Sequence, residues 1–251
     1  MFQIMTMNIR YPAPSDGEYY FPFRLPYIVE EVKSLRPDVL CFQEMLPFMY
    51  EALSSMLPEY AFIGIGRGQE LDGESCRIAY LKDSLTLCAT DTFWLSPTPD
   101  VPGSRYQDQS ICPRICTWGK FYHIANHSML YVLNTHLDHE GDGARRDGLS
   151  QILEKAHELL ERQSLPLFIT GDFNFTPSDP AYEMIEDAPF EDLTAQLSGS
   201  FHAYGRESNT KIDYILTNQP KEEFEIKLLH TGSNGKFLSD HDFICARWNR
   251  I

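Results

Sequence analysis

The chain has 251 residues, of which 43% are hydrophobic, and its formal net charge is −15. This length and apolar content suit one large domain over residues 1–251, because no linker-like or low-complexity stretch divides the chain. The acidic balance disfavours a protein that grips duplex nucleic acid non-specifically, since such proteins usually present a broad cationic face.

The sequence contains neither a membrane-spanning run nor a recognisable leader. No apolar run approaches the ~20 residues that cross a bilayer, and Met1–Ile4 lacks the basic and apolar regions of a secretory signal. Cys112 and Cys116 have the spacing of half a zinc site, but no second pair completes it. We therefore expect reduced cysteines in a cytoplasmic protein, and the sequence indicates no protein partner.

Strands and helices alternate in the first half of the chain. Apolar segments predict strands over residues 2–9, 38–43, 60–65, 77–82 and 85–95. Helices are predicted to begin at Pro26 and Pro47, because proline suits the first helical turn. Irregular segments follow at 11–20, 64–73 and 96–113, and a loop as long as the last is more often functional than accidental.

The second half adds strands and one long helix. Strands are predicted over residues 115–123, 129–133, 167 onwards to Gly171, 211–217, 224–229 and 243–248. The clearest helix covers residues 144–163, and Asp179 is a predicted N-cap of a short helix. Many strands in mixed hairpin and crossover order predict an α/β fold of packed sheets with helices outside.

Polar side chains recur where the predicted strands end, and this pattern predicts a site. They are Asn8, Glu44, His136, Asp172 and the pair Asp240–His241. Asp172 and Asn174 are two residues apart, so in an extended segment both side chains would point to the same face. Converging strand ends are where α/β folds place their binding sites.

These residue types suit hydrolysis of a phosphate ester, which needs a hard cation on oxygen ligands, a base and several donors. Asn8, Glu44 and Asp240 could hold Mg²⁺ or Mn²⁺, and Asp172 could be the base or orient the attacking water. The remaining side chains would face the phosphate: Asn174, His136 and His241. Arg10 and Arg114 could bind substrate phosphate or only balance the carboxylates.

Each candidate also has a structural interpretation. Glu44 could be a surface residue after a strand, His136 a satisfied strand-end histidine, and Asn8 a cap of the loop at Tyr11. Asp213 could pair with Lys211, with which it shares a strand face. The other histidines are expected to be ordinary residues: His123, His127, His139, His157, His202 and His230.

Six segments, in order, resemble the endonuclease/exonuclease/phosphatase superfamily, which includes deoxyribonuclease I and exonuclease III. They are Thr6–Asn8, Arg36–Glu44, Thr135–Leu137, Gly171–Asn174, Ile212–Tyr214 and Ser239–His241. No single segment is specific, but their order from residue 6 to residue 241 covers nearly the whole chain. Two further segments, Asp91–Ser96 and Pro113–Trp118, resemble a bacterial branch of that superfamily.

The resemblance implies a four-layer sandwich, in which two mixed β-sheets pack face to face and helices flank them. It implies Glu44 as the main metal ligand with Asn8 and Asp240 nearby, and Asp172 beside Asn174 as the group that orients or deprotonates water. It further implies that His241, held by Asp213 in its charged form, contacts the scissile phosphate. His136 would be a second donor. Some relatives pair that histidine with an upstream glutamate, and Glu74 is a candidate by position alone.

We therefore expect a Mg²⁺- or Mn²⁺-dependent phosphoesterase that hydrolyses a phosphodiester of nucleic-acid or nucleotide type. The alternative substrate is a phosphorylated small molecule or a lipid headgroup, of inositol phosphate or sphingomyelin type, which the acidic charge favours. A third possibility is a binding module that keeps the fold without catalysis. The loops at 11–20, 64–73 and 96–113 are expected to decide the substrate.

Overall fold

A computed structural model describes residues 1–249 of the chain. Within them the strands are β1 (Phe2–Asn8), β2 (Val39–Gln43), β3 (Tyr60–Ile63), β4 (Ile78–Leu81), β5 (Leu85–Trp94), β6 (Ile115–His123), β7 (Ser128–His136), β8 (Leu167–Asp172), β9 (Glu191–Asp192), β10 (Asp213–Thr217), β11 (Phe224–Leu229) and β12 (Phe243–Trp248). The α-helices are α1 (Phe21–Leu35), α2 (Pro47–Met56), α3 (Asp142–Arg162) and α4 (Glu183–Glu186). Short 3₁₀ helices cover Pro14–Tyr19, Pro180–Tyr182, Ala203–Gly205 and Lys221–Glu223. In the described part of the chain, no helix has the length and apolar character needed to cross a membrane.

The strands form two six-stranded mixed sheets, in the orders β11-β12-β1-β2-β4-β3 and β5-β6-β7-β8-β10-β9. Alternation along β1 separates the layers: Ile4 packs between the sheets with Phe168, whereas Met5 packs outwards with Ile28 of α1. On the other sheet, Ile169 packs outwards in the same cluster as residues of α3. The predicted four-layer α/β sandwich is therefore confirmed.

In the first sheet, polar residues lie at one edge because of the strand directions. β1 and β2 are parallel, so Asn8 and the segment that continues into Glu44 leave the sheet side by side. β12 is antiparallel to β1, so it begins at the edge where β1 ends. Residues 240–242 immediately precede β12 and are thus brought beside the end of β1.

The second sheet repeats this arrangement. β7 and β8 are parallel and end together, with His136 paired to Asp172. β10 runs antiparallel to β8, and its first residue, Asp213, is paired with Asp172. Each sheet therefore delivers two strand ends and one strand start to the candidate site.

Between the sheets, a polar contact interrupts the apolar core. The fully buried amide Nε2 of Gln43 donates to Oδ1 of Asn134 in the opposite sheet at 2.7 Å and to Oγ1 of Thr6 at 3.1 Å. Asn134 in turn donates to the carbonyl oxygen of Phe42 at 2.9 Å. Hydrogen bonds are directional, so this bridge specifies how the two sheets are aligned.

One helix differs from its predicted start. The prediction that Pro26 is the first residue of a helix is wrong, because α1 begins at Phe21 and Pro26 lies inside it. The buried guanidinium of Arg24 donates to the carbonyl oxygens of Tyr19 and Leu238 at 2.5 and 2.6 Å. Pro22 is the proline in the first turn of α1, and these contacts of Arg24 anchor that turn.

Candidate active site

The converging strand ends surround an open cavity of about 520 Å³. All the predicted site residues except Asn8 and Asp213 line it, and those two lie directly behind its wall. The predicted residues on the wall are Arg10, Glu44, Arg114, His136, Asp172, Asn174, Asp240 and His241. Side chains from both sheets thus meet at one place, as the strand ends predict.

Asn8 links carboxylates that come from different sheets. Its buried Nδ2 donates to Oε1 of Glu44 at 3.0 Å and to Oδ2 of Asp172 at 2.9 Å. Its Oδ1 accepts the backbone N–H of Arg10 at 3.0 Å. Asn8 therefore caps the start of the loop and also contacts two carboxylates of the cavity wall.

Glu44 has a backbone conformation that residues other than glycine rarely adopt. Its φ angle is 60°, in the left-handed region, directly after β2 ends. Such strain costs ~1–3 kcal/mol and collects at functional sites. The turn directs the carboxylate to the cavity wall, where Oε2 accepts the backbone N–H of Tyr11 at 2.7 Å.

The donor set around Glu44 fits a hard divalent cation. Burial raises the pKa of Asp240, and the charge of Glu44 adds to that rise against the opposing effect of His241. Two neighbouring carboxylates that repel each other gain from a shared cation. Glu44 and Asp240 offer carboxylate oxygens, the ligand type that Mg²⁺ prefers, while Asn8 turns its Nδ2 towards Glu44.

Arg10 partly balances this acidic wall. Its Nε lies 3.5 Å from Oδ2 of Asp240 and 3.3 Å from Oδ2 of Asp16, a buried residue of the 3₁₀ helix over Pro14–Tyr19. The guanidinium also lies over the ring of Tyr11, 4.3 Å from its centroid. Arg10 therefore neutralises carboxylates and also faces the cavity.

Asp172 is held in one orientation at the centre of the site. Burial raises its pKa to about 7, with a further rise from the charge of Asp213 and opposing effects from His241 and two hydrogen bonds. The preceding Gly171 has a φ of 152°, and a β-carbon there would lie 2.1 Å from the carbonyl oxygen of Thr135. Only glycine therefore lets β8 approach β7 closely enough to present Asp172 beside His136.

Asp172 and Asn174 are expected to share a face through the alternation of an extended segment, but Asn174 does not lie in one. β8 ends at Asp172, and Asn174 has a φ of 53°. The turn nevertheless keeps the two side chains together, because the backbone N–H of Asn174 donates to Oδ1 of Asp172 at 2.9 Å. Asn174 Nδ2 donates to the carbonyl oxygen of Leu137 and lies 3.0 Å from Nε2 of His136.

His136 is an uncharged imidazole. Burial, followed by the charges of Arg114 and Arg67, holds its pKa well below the usual range. Its Nε2 accepts from Asn174 and lies 3.5 Å from Oδ2 of Asp172. This hydrogen bond assigns the proton to Nδ1, so any donation from His136 comes from that atom.

In contrast to the neutral ring of His136, the imidazole of His241 is positively charged. Burial lowers its pKa, but Asp213, through its charge and a 2.8 Å contact to Nδ1, and the charges of Asp172 and Asp240 raise it to about 10. Asp213 also accepts from Oγ of Ser200 at 2.6 Å. The cationic ring presents Nε2 to the cavity, 3.7 Å from Asp172 Oδ2.

The alternative partner of Asp213 is excluded by geometry. Lys211 forms an ion pair with Asp192 at 3.0 Å instead. Ligand atoms of Asp172, Asp213 and His241 lie within 4.8 Å of one another, a spacing that could also hold a metal. Because Asp213 keeps His241 protonated, we interpret this group as an ion-paired triad.

Arg114 and Arg67 also line the cavity, and the sequence predicts only one of them as a site residue. Arg114, a predicted candidate, is buried, and its Nη2 lies 2.7 Å from Nδ1 of His139. Within residues 1–249, its Nε and Nη1 have no hydrogen-bond partner, although Nε lies 3.5 Å from Asp138. The other, Arg67, is not predicted as a site residue, and its only sequence signal is its position in the Gly-rich loop over residues 64–73.

The structure also bears on the expectations for Glu74 and His139. Glu74, the positional candidate for a partner of His136, pairs with Arg67 at 2.9 Å. His139, expected to be an ordinary residue, lines the cavity. Phe201 also lines it, with its ring 4.9 Å from that of His241.

Asp138 supports the arginine wall and gives a testable pH dependence. Burial raises its pKa, but hydrogen bonds from Ser110 and Gly141 and the charge of Arg114 lower it to about 2. A depressed carboxyl pKa contributes stability above the unfolded value near 3.9, and this contribution is lost as the pH falls towards 2. Asp138→Asn is expected to lower the free energy of unfolding by about 2 kcal/mol at pH 7 and by about half of that at pH 3.

Urea unfolding of both proteins at the two pH values measures this difference. The exposed Asp147→Asn is the matched control on α3 and should change neither midpoint. An Asp138→Asn deficit of equal size at pH 7 and pH 3 would contradict the linkage.

Comparison with known proteins identifies one family model. The model of the Endonuclease/Exonuclease/phosphatase family matches residues 5–241. No curated protein sequence matches the chain significantly.

Several solved structures share the fold over nearly the full chain. An endonuclease/exonuclease/phosphatase from Bacteroides vulgatus is 32% identical, with a TM-score of 0.88, over 98% of this chain and 97% of its own. A mannosyl-6-phosphatase from Bacteroides thetaiotaomicron is 27% identical, with a TM-score of 0.87, over 98% and 99%. D. rerio TDP2 complexed with a single-stranded DNA product is 18% identical, with a TM-score of 0.76, over 99% of each chain, and this likeness concerns the fold alone.

Proposed function

The chain belongs to the endonuclease/exonuclease/phosphatase family, and from that premise we propose that residues 1–251 form one domain that hydrolyses phosphate esters with a divalent cation. The observation that carries the proposal is the triad of Asp172, His241 and Asp213, in which a carboxyl group with a pKa of about 7 faces a charged imidazole. The six cysteines are free, which supports a reducing compartment, the cytoplasm.

Glu44, Asp240 and Asn8 would hold the cation, which is Mg²⁺ or Mn²⁺. The carboxylate oxygens of Glu44 and Asp240 and the mutual repulsion of these two groups support this assignment. When bound, the cation neutralises charge on the non-bridging phosphate oxygens and steadies the leaving oxygen.

Asp172 orients the attacking water and accepts its proton. A base works best when its pKa lies near the operating pH, and the pKa of Asp172 is about 7. The hydrogen bonds from Asn8 Nδ2 and the N–H of Asn174 keep its carboxylate plane fixed before the substrate arrives. This preorganisation avoids reorientation at the moment of reaction.

His241 and His136 bind the phosphate in different ways. His241 donates from Nε2 as a cation, since Asp213 accepts from Nδ1 and keeps the ring protonated. His136 is neutral and donates from Nδ1, and Asn174 holds its ring in place through Nε2. One charged and one neutral donor on the phosphoryl oxygens stabilise the charge that develops in the transition state.

A phosphorylated small molecule is the substrate class that the geometry supports best. A cavity of about 520 Å³ lies within the range of ~300–1,000 Å³ usual for small ligands. Its walls carry Glu44 and Glu74 as well as Arg67 and Arg114, so they do not form the continuous cationic track of a nucleic-acid site. The likeness at 27% identity to a mannosyl-6-phosphatase supports the same class.

A phosphodiester of nucleic-acid or nucleotide type remains the second candidate. Tyr11 is 40% exposed and lines the cavity, and Phe201 lies beside His241. Two aromatic rings at a phosphate site can stack on a nucleobase, and stacking is worth ~1–3 kcal/mol per base. This observation favours a nucleotide over a lipid headgroup as the alternative.

A substrate panel with and without metal tests the proposal. Sugar 6-phosphates, an aryl phosphodiester, inositol phosphates and single-stranded DNA are assayed with Mg²⁺ and with EDTA. We expect hydrolysis of a sugar phosphate with Mg²⁺ and its loss in EDTA. Glu44→Gln is expected to lower the rate about 100-fold at fixed Mg²⁺, because it weakens the main metal carboxylate.

The exposed Glu186→Gln on α4 is the matched control and should keep the wild-type rate. Hydrolysis that persists in EDTA would contradict the metal dependence. Faster cleavage of DNA than of every phosphomonoester would move the assignment to the second candidate, and no hydrolysis of any ester would overturn the proposal.

A further inference from the structure

A second group of metal-ligating side chains lies outside the cavity. It contains His202, which precedes the 3₁₀ helix Ala203–Gly205, His230, which follows β11, and Asp242, which precedes β12. One ligand atom from each lies within 4.8 Å of the others, and none of the three lines the cavity. The cluster therefore lies outside the cavity, and the backbone N–H of His202 donates to the carbonyl oxygen of Asp240 at 2.9 Å.

Within the cluster, two imidazoles approach the same carboxylate oxygen. His230 Nδ1 lies 2.5 Å from Oδ1 of Asp242, a short hydrogen bond. His202 Nε2 lies 3.4 Å from that oxygen but makes no hydrogen bond to it. Asp242 is only 3% exposed, so its charge needs compensation from these neighbours.

His202 is the observation that points to a ligand. It is 3% exposed, and neither of its ring nitrogens has a hydrogen-bond partner within residues 1–249. An unpaired buried polar group costs ~1–3 kcal/mol. A pairing between His230 and Asp242 alone leaves that cost in place, whereas an ion that accepts the lone pair of His202 removes it.

We propose that His202, His230 and Asp242 bind one Zn²⁺ ion. Two imidazole nitrogens and one carboxylate oxygen are a common three-ligand set for zinc, with water in the fourth position. The side chain of His230 is 50% exposed, which leaves that position open to solvent. Phe237 packs on both rings, with centroids 4.7 Å from His202 and 4.8 Å from His230, and shields the other side.

The two proposed metal positions differ in ligand chemistry. The oxygen-only set at the cavity prefers Mg²⁺, while imidazole nitrogens suit zinc and related transition ions. Zinc at the second position would join three chain segments next to His241. The proposal concerns only the binding of zinc at these three residues, so it does not rest on the proposed function.

Zinc content and unfolding temperature test the proposal on the full chain. The protein is loaded with Zn²⁺, dialysed against excess Mg²⁺ and assayed for zinc by elemental analysis. We expect about one zinc per chain in the wild type, in Glu44→Gln and in His157→Gln, whose side chain is 71% exposed on α3. His230→Gln and His202→Gln are expected to retain none.

The unfolding temperature gives a second readout. Zinc at a hundredfold excess over its Kd is expected to raise the unfolding temperature of the wild type by about 5 °C. His230→Gln should show no such rise, and because His230 is half-exposed this variant is expected to fold. The proposal would be overturned if the wild type retained no zinc. It would also be overturned if His230→Gln and His202→Gln retained as much zinc as the wild type.

Discussion

Replacing Asp172 by asparagine is expected to lower kcat by about a thousandfold and to leave the fold intact. Asparagine has nearly the same shape, but it cannot take a proton, and its single oxygen keeps only one of the two bonds that Asp172 accepts, at Oδ2 from Asn8 and at Oδ1 from the N–H of Asn174. Because the carboxylate is the active form, wild-type kcat/KM should fall as the pH drops below about 7, the pKa of Asp172. The variant should lack this acid limb.

Stability distinguishes lost chemistry from misfolding in this variant. The folded pKa of Asp172 is raised, so its contribution to stability is present below the unfolded value near 3.9 and lost as the pH rises through about 7. At pH 8 the buried carboxylate therefore destabilises the fold, and Asp172→Asn should unfold at the same or higher urea concentration than the wild type. Asp187→Asn, on an exposed residue, is the rate control. Wild-type activity in Asp172→Asn would refute the role as base.

Replacing His241 by glutamine is expected to lower kcat about 100- to 1,000-fold, because an amide donor without charge replaces an imidazolium at the phosphate. The same hypothesis predicts a shift in pH profile for Asp213→Asn. The charge and hydrogen bond of Asp213 are the largest effects that raise the pKa of His241 to about 10. Their loss should move the alkaline limb of kcat/KM about two pH units lower.

Initial rates between pH 6 and 11 measure that limb. Asp192→Asn is the matched control, since Asp192 is a carboxylate of the same sheet that pairs with Lys211 and not with His241. Asp192→Asn should leave the alkaline limb in place even if it lowers stability. An alkaline limb that stays near its wild-type position in Asp213→Asn would show that Asp213 does not set the charge of His241.

The sequence predicts the fold well where local pattern and tertiary environment agree. The bounds of β6, β11 and β12 match the predicted segments, because each combines a strand pattern with clear turn residues at its ends. The edge location of the site also follows, since polar residues at strand ends are visible without coordinates. Pro26 fails as a helix start because Pro22 takes the first turn of α1, and Arg24 anchors that turn to the carbonyl oxygens of Tyr19 and Leu238.

Other features have no local signal. Asn174 leaves the strand through a left-handed residue, and such a turn is set by its contacts with Leu137 and His136 rather than by propensity. The pairing of Arg67 with Glu74 and the meeting of His202 with Asp242 depend on how separate segments pack. Sequence spacing does not show which distant segments meet. The sequence therefore predicts the residue types that line the cavity, but not the shape of the cavity that selects a substrate.

The hydrogen bond between Gln43 and Asn134 bears on how the cavity keeps its geometry. Apolar faces tolerate small sliding movements, whereas a buried amide pair loses its hydrogen bonds when the layers shift. Asn8 and Glu44 arrive from one layer and Asp172 and His136 from the other, so a slip of the layers would separate the proposed base from the proposed metal ligands. The amide pair lies outside the cavity, yet its directional hydrogen bond limits how far the two sheets can shift and so keeps the side chains of both sheets in place around the cavity.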